Sequence, residues 1–160
     1  MRPAMQRSGI YRFRLARQSD LAAIVRLLAD DNLGGTREIV SDPVDARYLS
    51  AFAAIEADAN QLLAVANDAT DRVVGCLQLS FVPGLSRTGM WRGQIESVRV
   101  ASDLRGSGLG SHFIEWAIAQ CAERGCGLVQ LTPDKTRGDA IRFYERLGFV
   151  ASHEGLKRNL

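Results

Sequence analysis

The sequence predicts a mixed α/β (α+β) fold in which a largely antiparallel sheet is crossed by one strand–helix–strand unit. Three observations predict it. Apolar residues alternate at period two in short runs and recur at helical spacing in longer ones. The runs follow in the order β-α-α-β-β-β-α-β-α-β-β. A glycine-rich hexapeptide, Arg105-Gly106-Ser107-Gly108-Leu109-Gly110, falls at a strand-to-helix turn, the place where α/β proteins tend to bind ligands. The length of 160 residues fits one domain with a core of its own. Residues 9–160 are assigned to that domain, and residues 1–8 to a flexible tail.

Tyr11 to Leu15 alternates and reads as the first strand. Ser19 offers an N-cap to a helix through Leu21–Leu28, and Asp30 to Asp42 is a polar, glycine-containing loop. A second helix is expected over Val44–Ala57, with Tyr48, Leu49, Phe52 and Ile55 on one face. Gln61–Asn67 and Arg72–Val82 form a hairpin around the turn Asp68-Ala69-Thr70-Asp71, and Trp91–Val100 returns as a third antiparallel strand. Gly108–Glu123 is the strongest helix, with Phe113, Trp116, Ala117 and Cys121 on its apolar face and Gly125 behind it as a stop. Leu128–Leu131 reads as a short buried strand and Arg137–Leu147 as a helix closed by Gly148. Phe149–His153 and Leu156–Leu160 look like two closing strands.

Composition narrows the function classes. A net charge of +2 argues against a dedicated nucleic-acid binder, whose basic residues would be more numerous and clustered. Cys76, Cys121 and Cys126 are odd in number and lack a C-x-x-C pair, so they read as reduced and structural. His112 and His153 are far apart, with no paired-cysteine or H-E-x-x-H context, so no metal site is expected. No apolar run reaches the roughly 18 to 20 residues of a membrane span, and no targeting signal is evident, so the expected location is the cytoplasm.

Three glycines in five residues mark positions of positive φ, or places where a ligand approaches bare backbone. The helix opening behind them adds unpaired N–H donors and the positive end of its dipole, which suits an anion. A dinucleotide fingerprint fits poorly, because the third glycine of G-x-G-x-x-G is replaced by Ser111. A P-loop fails too: the spacing of Gly84 and Gly89 is right, but Met90-Trp91 follows.

Two segments together carry a more specific message. Arg105 to Gly110 matches the Q/R-x-x-G-x-G/A signature of the GNAT family, the GCN5-related N-acetyltransferases, at every specified position. Ala140-Ile141-Arg142-Phe143-Tyr144-Glu145-Arg146-Leu147-Gly148-Phe149 resembles the same family's A-x-x-F-Y-x-x-x-G-F segment. The resemblance is detailed over Gln94–Phe149 and holds in element order over nearly the whole chain. It implies a GNAT-like fold: a central mixed, mostly antiparallel sheet, about four helices, and a cofactor cleft where Glu96–Val100 splays from Leu128–Thr132.

The resemblance also implies acetyl-coenzyme A as cosubstrate, without a metal, and a small-molecule or peptide amine as acceptor. The pyrophosphate would rest on backbone N–H groups from Gly106 through Ser107, Gly108, Leu109, Gly110 and Ser111, each bond to a charged acceptor contributing about 1.5 to 3 kcal/mol. Arg105 either adds charge there or is a solvated loop arginine. The strand around Val98, Arg99 and Val100 would pair through its main chain with the pantetheine arm, as an added strand does. Ala140 belongs to the second signature, and Arg137 stands where many relatives have a cofactor-contacting asparagine, so it touches a phosphate or caps its helix instead.

Acetyl transfer needs a deprotonated amine, a stabilised oxyanion and a proton for the leaving thiolate. By likeness Tyr144 supplies the proton; the alternative is a tyrosine packed beside Phe143. Glu96 is the candidate base, since some small-amine members of the family carry glutamate there; a solvent-facing or salt-bridged glutamate is the alternative. Period-two alternation would put Glu96, Val98 and Val100 on one side, with the carboxylate among apolar neighbours. The resemblance implies that Asp30–Val44 and Pro83–Trp91 would shape the acceptor pocket; here these regions carry Asp30, Asp31, Arg37, Asp42, Arg87, Met90, Trp91 and Arg92. A homodimer fits family habit.

Overall fold

The computed structural model describes residues 6–30, 35–134 and 138–160. Six strands lie side by side in chain order: β1 (Gln6–Ser8), β2 (Tyr11–Leu15), β3 (Gln61–Asn67), β4 (Val73–Val82), β5 (Arg92–Val100) and β6 (Leu128–Leu131). All neighbours are antiparallel except β5 and β6. That parallel pair needs a crossover, which helix α4 (Leu109–Glu123) provides. The other helices are α1 (Leu21–Ala29), α2 (Ala46–Ala57), the single turn α3 (Ser86–Gly89) and α5 (Gly138–Arg146). The mixed, mostly antiparallel sheet that the sequence predicts is the sheet observed.

The core is built on the face that α4 covers. Phe113 stacks on Phe13 of β2 at 5.0 Å between ring centroids, and Trp116 packs against both rings. The predicted apolar face of α4, Phe113, Trp116, Ala117 and Cys121, is fully or almost fully buried. Burying such aromatic side chains contributes the largest apolar areas in the molecule. It also fixes the helix, and so its glycine-rich entry, relative to the sheet. On the opposite face α1 buries Leu21, Ile24, Val25 and Leu27. Its entry is held by Asp20, which accepts two hydrogen bonds from the Arg14 guanidinium (2.7 and 3.0 Å) and one from the Arg17 amide (2.7 Å).

Several expectations change. Ser19 does not cap α1, because a 3-10 turn, Gln18–Asp20, precedes the helix and its N-cap residue is Asp20. Helix α2 starts at Ala46, behind Asp45, whose carboxylate accepts the Arg47 amide, and it buries only Phe52 of the expected face. Strand β6 is half-exposed rather than buried, because it is the sheet's outer strand. Gln6–Ser8, expected in the tail, pairs with β2 through the two-residue loop Gly9-Ile10. Gly9 has φ +60°, as the first loop position of such a hairpin requires. The two closing strands do not form: residues 149–160 have no regular structure, and Val150 and Leu156 are exposed. Alternation without a face to bury it does not make a strand. Among the described residues no helix is long and apolar enough to cross a membrane.

Candidate cofactor and active site

Pairing between β5 and β6 runs from Arg92↔Leu128 to Ile95↔Leu131 and ends there. Beyond it β5 keeps β4 on one side but has no strand partner on the other among the described residues. The Ala101 amide bonds the Val74 carbonyl of β4. Main-chain groups alternate along a strand, so those of Val100, next to Ala101, turn to the open side. The Arg99 guanidinium already donates to the Val98 carbonyl at 2.9 Å.

The strand is bulged at the same place. Cys76 pairs with Arg99 and Gln78 with Glu96, so Ser97 and Val98 together oppose Leu77. Ser97 takes φ +55° to make the extra step, and the Cys76 thiol donates to its carbonyl at 3.7 Å. The bulge overturns the expected alternation. A Cβ on Gly93 would meet Cys121 of α4, and Val100 lies against Gly110 of α4, although the two are an odd number of residues apart. They share a face only because the bulge shifts the period, so Glu96 points away from the side of Val100. Its carboxylate is exposed, in line with Gln94 and beside Gln78, and not among apolar neighbours.

The glycines of the hexapeptide sit in two different settings. Gly106 and Gly108 sit at φ +85° and +86°, where a side chain is strained whatever the space. Gly110 has an ordinary φ, but the Phe143 ring lies 3.5 Å from where its Cβ would be. The two signature segments therefore touch. The amides of Gly106, Gly108, Gly110 and Ser111 have no acceptor among the described residues, whereas Ser107 donates to the Leu104 carbonyl and Leu109 to the Ser107 hydroxyl. The free donor set is thus narrower than six consecutive amides, and it surrounds the start of a fifteen-residue helix.

Three side-chain contacts hold this loop in place. Arg105 donates to the Asp30 carbonyl (2.8 Å) and carboxylate (3.3 Å), so part of its charge is spent on the end of α1. Arg72, from the β3–β4 turn, bonds Asp103 at 2.9 Å. Tyr11 reaches Ser107 at 3.4 Å. Neither Tyr11 nor Ser97 stands out in the sequence: a tyrosine in a strand and a serine forced to positive φ carry no local signature.

Helix α5 brings Tyr144 to the same region. Its ring packs edge-on against Phe143 (5.1 Å) and Phe149 (5.8 Å) and is half-buried. Ala140 is half-buried in the first turn of α5, while Arg137 and Asp31 lie outside the described residues. Cys76 is wholly buried, and burial pushes its thiol up to about 12 despite the nearby Arg99 charge. An open groove between α1 and the start of α2, lined by Ser19, Ala22 and Val44, lies at the end of α1 remote from the glycine run. Among the described residues no cluster of His, Cys, Asp or Glu could hold a metal ion.

Known proteins resemble this chain in sequence and in fold. A model of the acetyltransferase (GNAT) family matches residues 21–149. An aminoalkylphosphonate N-acetyltransferase from Salmonella typhimurium is 35% identical over 81 residues, 51% of this chain and 52% of the relative. A glucosamine 6-phosphate N-acetyltransferase from Trypanosoma brucei brucei is 34% identical over 91 residues, 57% of this chain and 60% of its own length. The matches thus span little more than half the length of these relatives. Among solved structures, one described as a transcriptional regulator from Bacillus halodurans C-125 shares 49% identity at a TM-score of 0.90, covering 92% of this chain and 98% of that one. With the open edge of β5, the glycine-run donors and the contact of Phe143 with Gly110 described, the family match places the chain: it belongs to the GNAT family of acetyltransferases.

Proposed function

We propose that the protein transfers an acetyl group from acetyl-coenzyme A to a primary amine, that of a small molecule or a peptide, in a direct ternary complex. The observation that carries this reading is the open edge of β5 at Val98 and Val100 running toward the unpaired amides of Gly106, Gly108, Gly110 and Ser111. An extended amide-bearing arm fits the edge, and a pyrophosphate fits the donors. The two relatives' names, both describing small amines, favour a small-molecule acceptor.

Acetyl-coenzyme A supplies an activated thioester carbonyl. Glu96, exposed at the point where the strands part, takes a proton from the acceptor ammonium, directly or through water, so that the amine nitrogen can attack. Tyr144 returns a proton to the departing thiolate, its ring held by Phe143 and Phe149. Burial of Cys76 supports direct transfer over an acyl-cysteine route.

A panel of amines with detection of released thiol tests this, repeated with Tyr144→Phe and Glu96→Gln. Turnover in the wild type with a loss in both variants is the expected result; full rates in both would overturn the assigned roles. The likeness to a protein described as a transcriptional regulator favours a second reading, an acyl-coenzyme A binding module without turnover. Tight acetyl-coenzyme A binding with no thiol release from any amine would select it.

A further inference from the structure

On the sheet face turned away from α4, four uncharged polar side chains line up across four strands. Gln61, Ser80, Gln94 and Gln130 are successive ladder partners. The residues beside them in the strands, Leu79 and Ile95, are buried in the core. Ser80 Oγ donates to Gln61 Oε1 at 2.7 Å, Gln78 Nε2 donates to the same oxygen at 3.2 Å, and Gln130 Nε2 donates to Gln94 Oε1 at 2.7 Å. A polar face is ordinary on an antiparallel sheet, but four uncharged residues in one ladder row, bridged by side-chain hydrogen bonds, call for a reason beyond exposure.

Its position supplies one. Gln94 and Gln130 form the last polar bridge between β5 and β6 before their pairing ends at Ile95↔Leu131, and Glu96 follows Gln94 on the same face. The bridge leaves groups over. The Nε2 donors of Gln94 and the Oε1 acceptor of Gln130 have no further protein partner among the described residues, and both residues are half-buried. A donor and an acceptor side by side, without a charge, match a hydroxyl, which is both. An alkyl group would leave both unpaired as it displaced water, and a phosphate or carboxylate would use only the donor.

We propose that the row is the floor of the acceptor site and that Gln94 and Gln130 read hydroxyl groups flanking the reactive amine, making the preferred substrate a hydroxylated amine that carries no anionic group. This rests on the acetyl-transfer reading above. The probes are 2-amino-1,3-propanediol and 3-aminopentane, which differ only by hydroxyl against methyl on either side of one amine. The wild type is expected to favour the diol by about tenfold or more in kcat/KM. In Gln94→Met and in Gln130→Met that preference falls toward unity, while the affinity for acetyl-coenzyme A, read by calorimetry, stays as in the wild type. Circular dichroism confirms that each variant is folded, and Gln130 on the outer strand provides the second variant should Gln94→Met unfold. A wild type indifferent to the hydroxyls, or folded variants that keep the wild-type ratio, overturns the proposal and leaves acetyl transfer standing. Acetyl-coenzyme A binding without turnover of either amine or of the wider panel overturns both.

Discussion

The ring of Phe143 lies 3.5 Å from where a Cβ on Gly110 would stand, so the helix that opens at the glycine run and the helix that carries Tyr144 meet through a hydrogen atom and the tip of an aromatic ring. That distance is ordinary van der Waals contact. Gly110→Ala is therefore tolerated, with stability within about 1 kcal/mol of wild type, the better helix propensity of alanine offsetting any tightening. Gly110→Val forces the ring aside at a cost of about 1 to 3 kcal/mol, and it moves Tyr144 with Phe143. Urea denaturation and thiol-release rates measured on both variants check this. An active, stable valine variant would show that the contact does not matter.

Gly93 has no such latitude. A Cβ there would stand 2.2 Å from the buried Cys121 sulfur and 3.3 Å from its Cβ. Gly93→Ala is expected to destabilise by about 1 to 3 kcal/mol through overpacking. Removing the sulfur relieves the collision, so the Gly93→Ala/Cys121→Ala pair should lose less than the two single costs added together. Simple additivity in a thermodynamic cycle would argue against it.

Ser97 carries the backbone strain of the bulge at φ +55°. A β-branched side chain suits that region least, so Ser97→Val is expected to lower stability by about 1 to 2 kcal/mol. Ser97→Gly is close to neutral, because relief of strain and the flexibility of glycine in the unfolded chain oppose each other at about 0.5 to 1 kcal/mol. Thermal melts of the two variants decide; a valine variant as stable as wild type would mean that the bulge is not held in this conformation.

The Asp20–Arg14 pair gives stability a specific acid limb. Burial works against ionisation of Asp20, yet hydrogen bonds from Arg14 and from the Arg17 amide, with the Arg14 charge, hold its carboxyl below the usual aspartate value. A lowered folded-state value means the contribution is complete above the unfolded value of about 3.9 and is lost as pH falls through the folded one. Asp20→Asn should therefore cost about 2 kcal/mol near neutral pH, and its stability should fall less steeply below about pH 4 than that of the wild type. Equal acid slopes in the two proteins would exclude the pair as a source of that limb.

Much of the site is legible from local pattern. The glycine run marks a turn because positive φ at Gly106 and Gly108 is a local demand. The α4 face is legible because Phe113, Trp116, Ala117 and Cys121 repeat at helical spacing. The orientation of Glu96 is not, since one extra residue at Ser97 reverses the alternation on which its placement depends. The closing strands fail for a related reason: residues 150–160 carry the alternation of strands but are exposed throughout, so among the described residues their apolar side chains find no face to bury against.

By itself the sequence determined the order of the main elements between Tyr11 and Arg146, the glycine-rich entry to α4 and the pair of signature segments, all properties of neighbouring residues. Only the tertiary structure decided that Gly110 meets Phe143, that Arg105 answers to Asp30, that Cys76 supports a bulge, and that four polar residues from four strands form one row. Each of those depends on strand register and helix packing. Register is set by burying a whole face at once, so no window of sequence contains it.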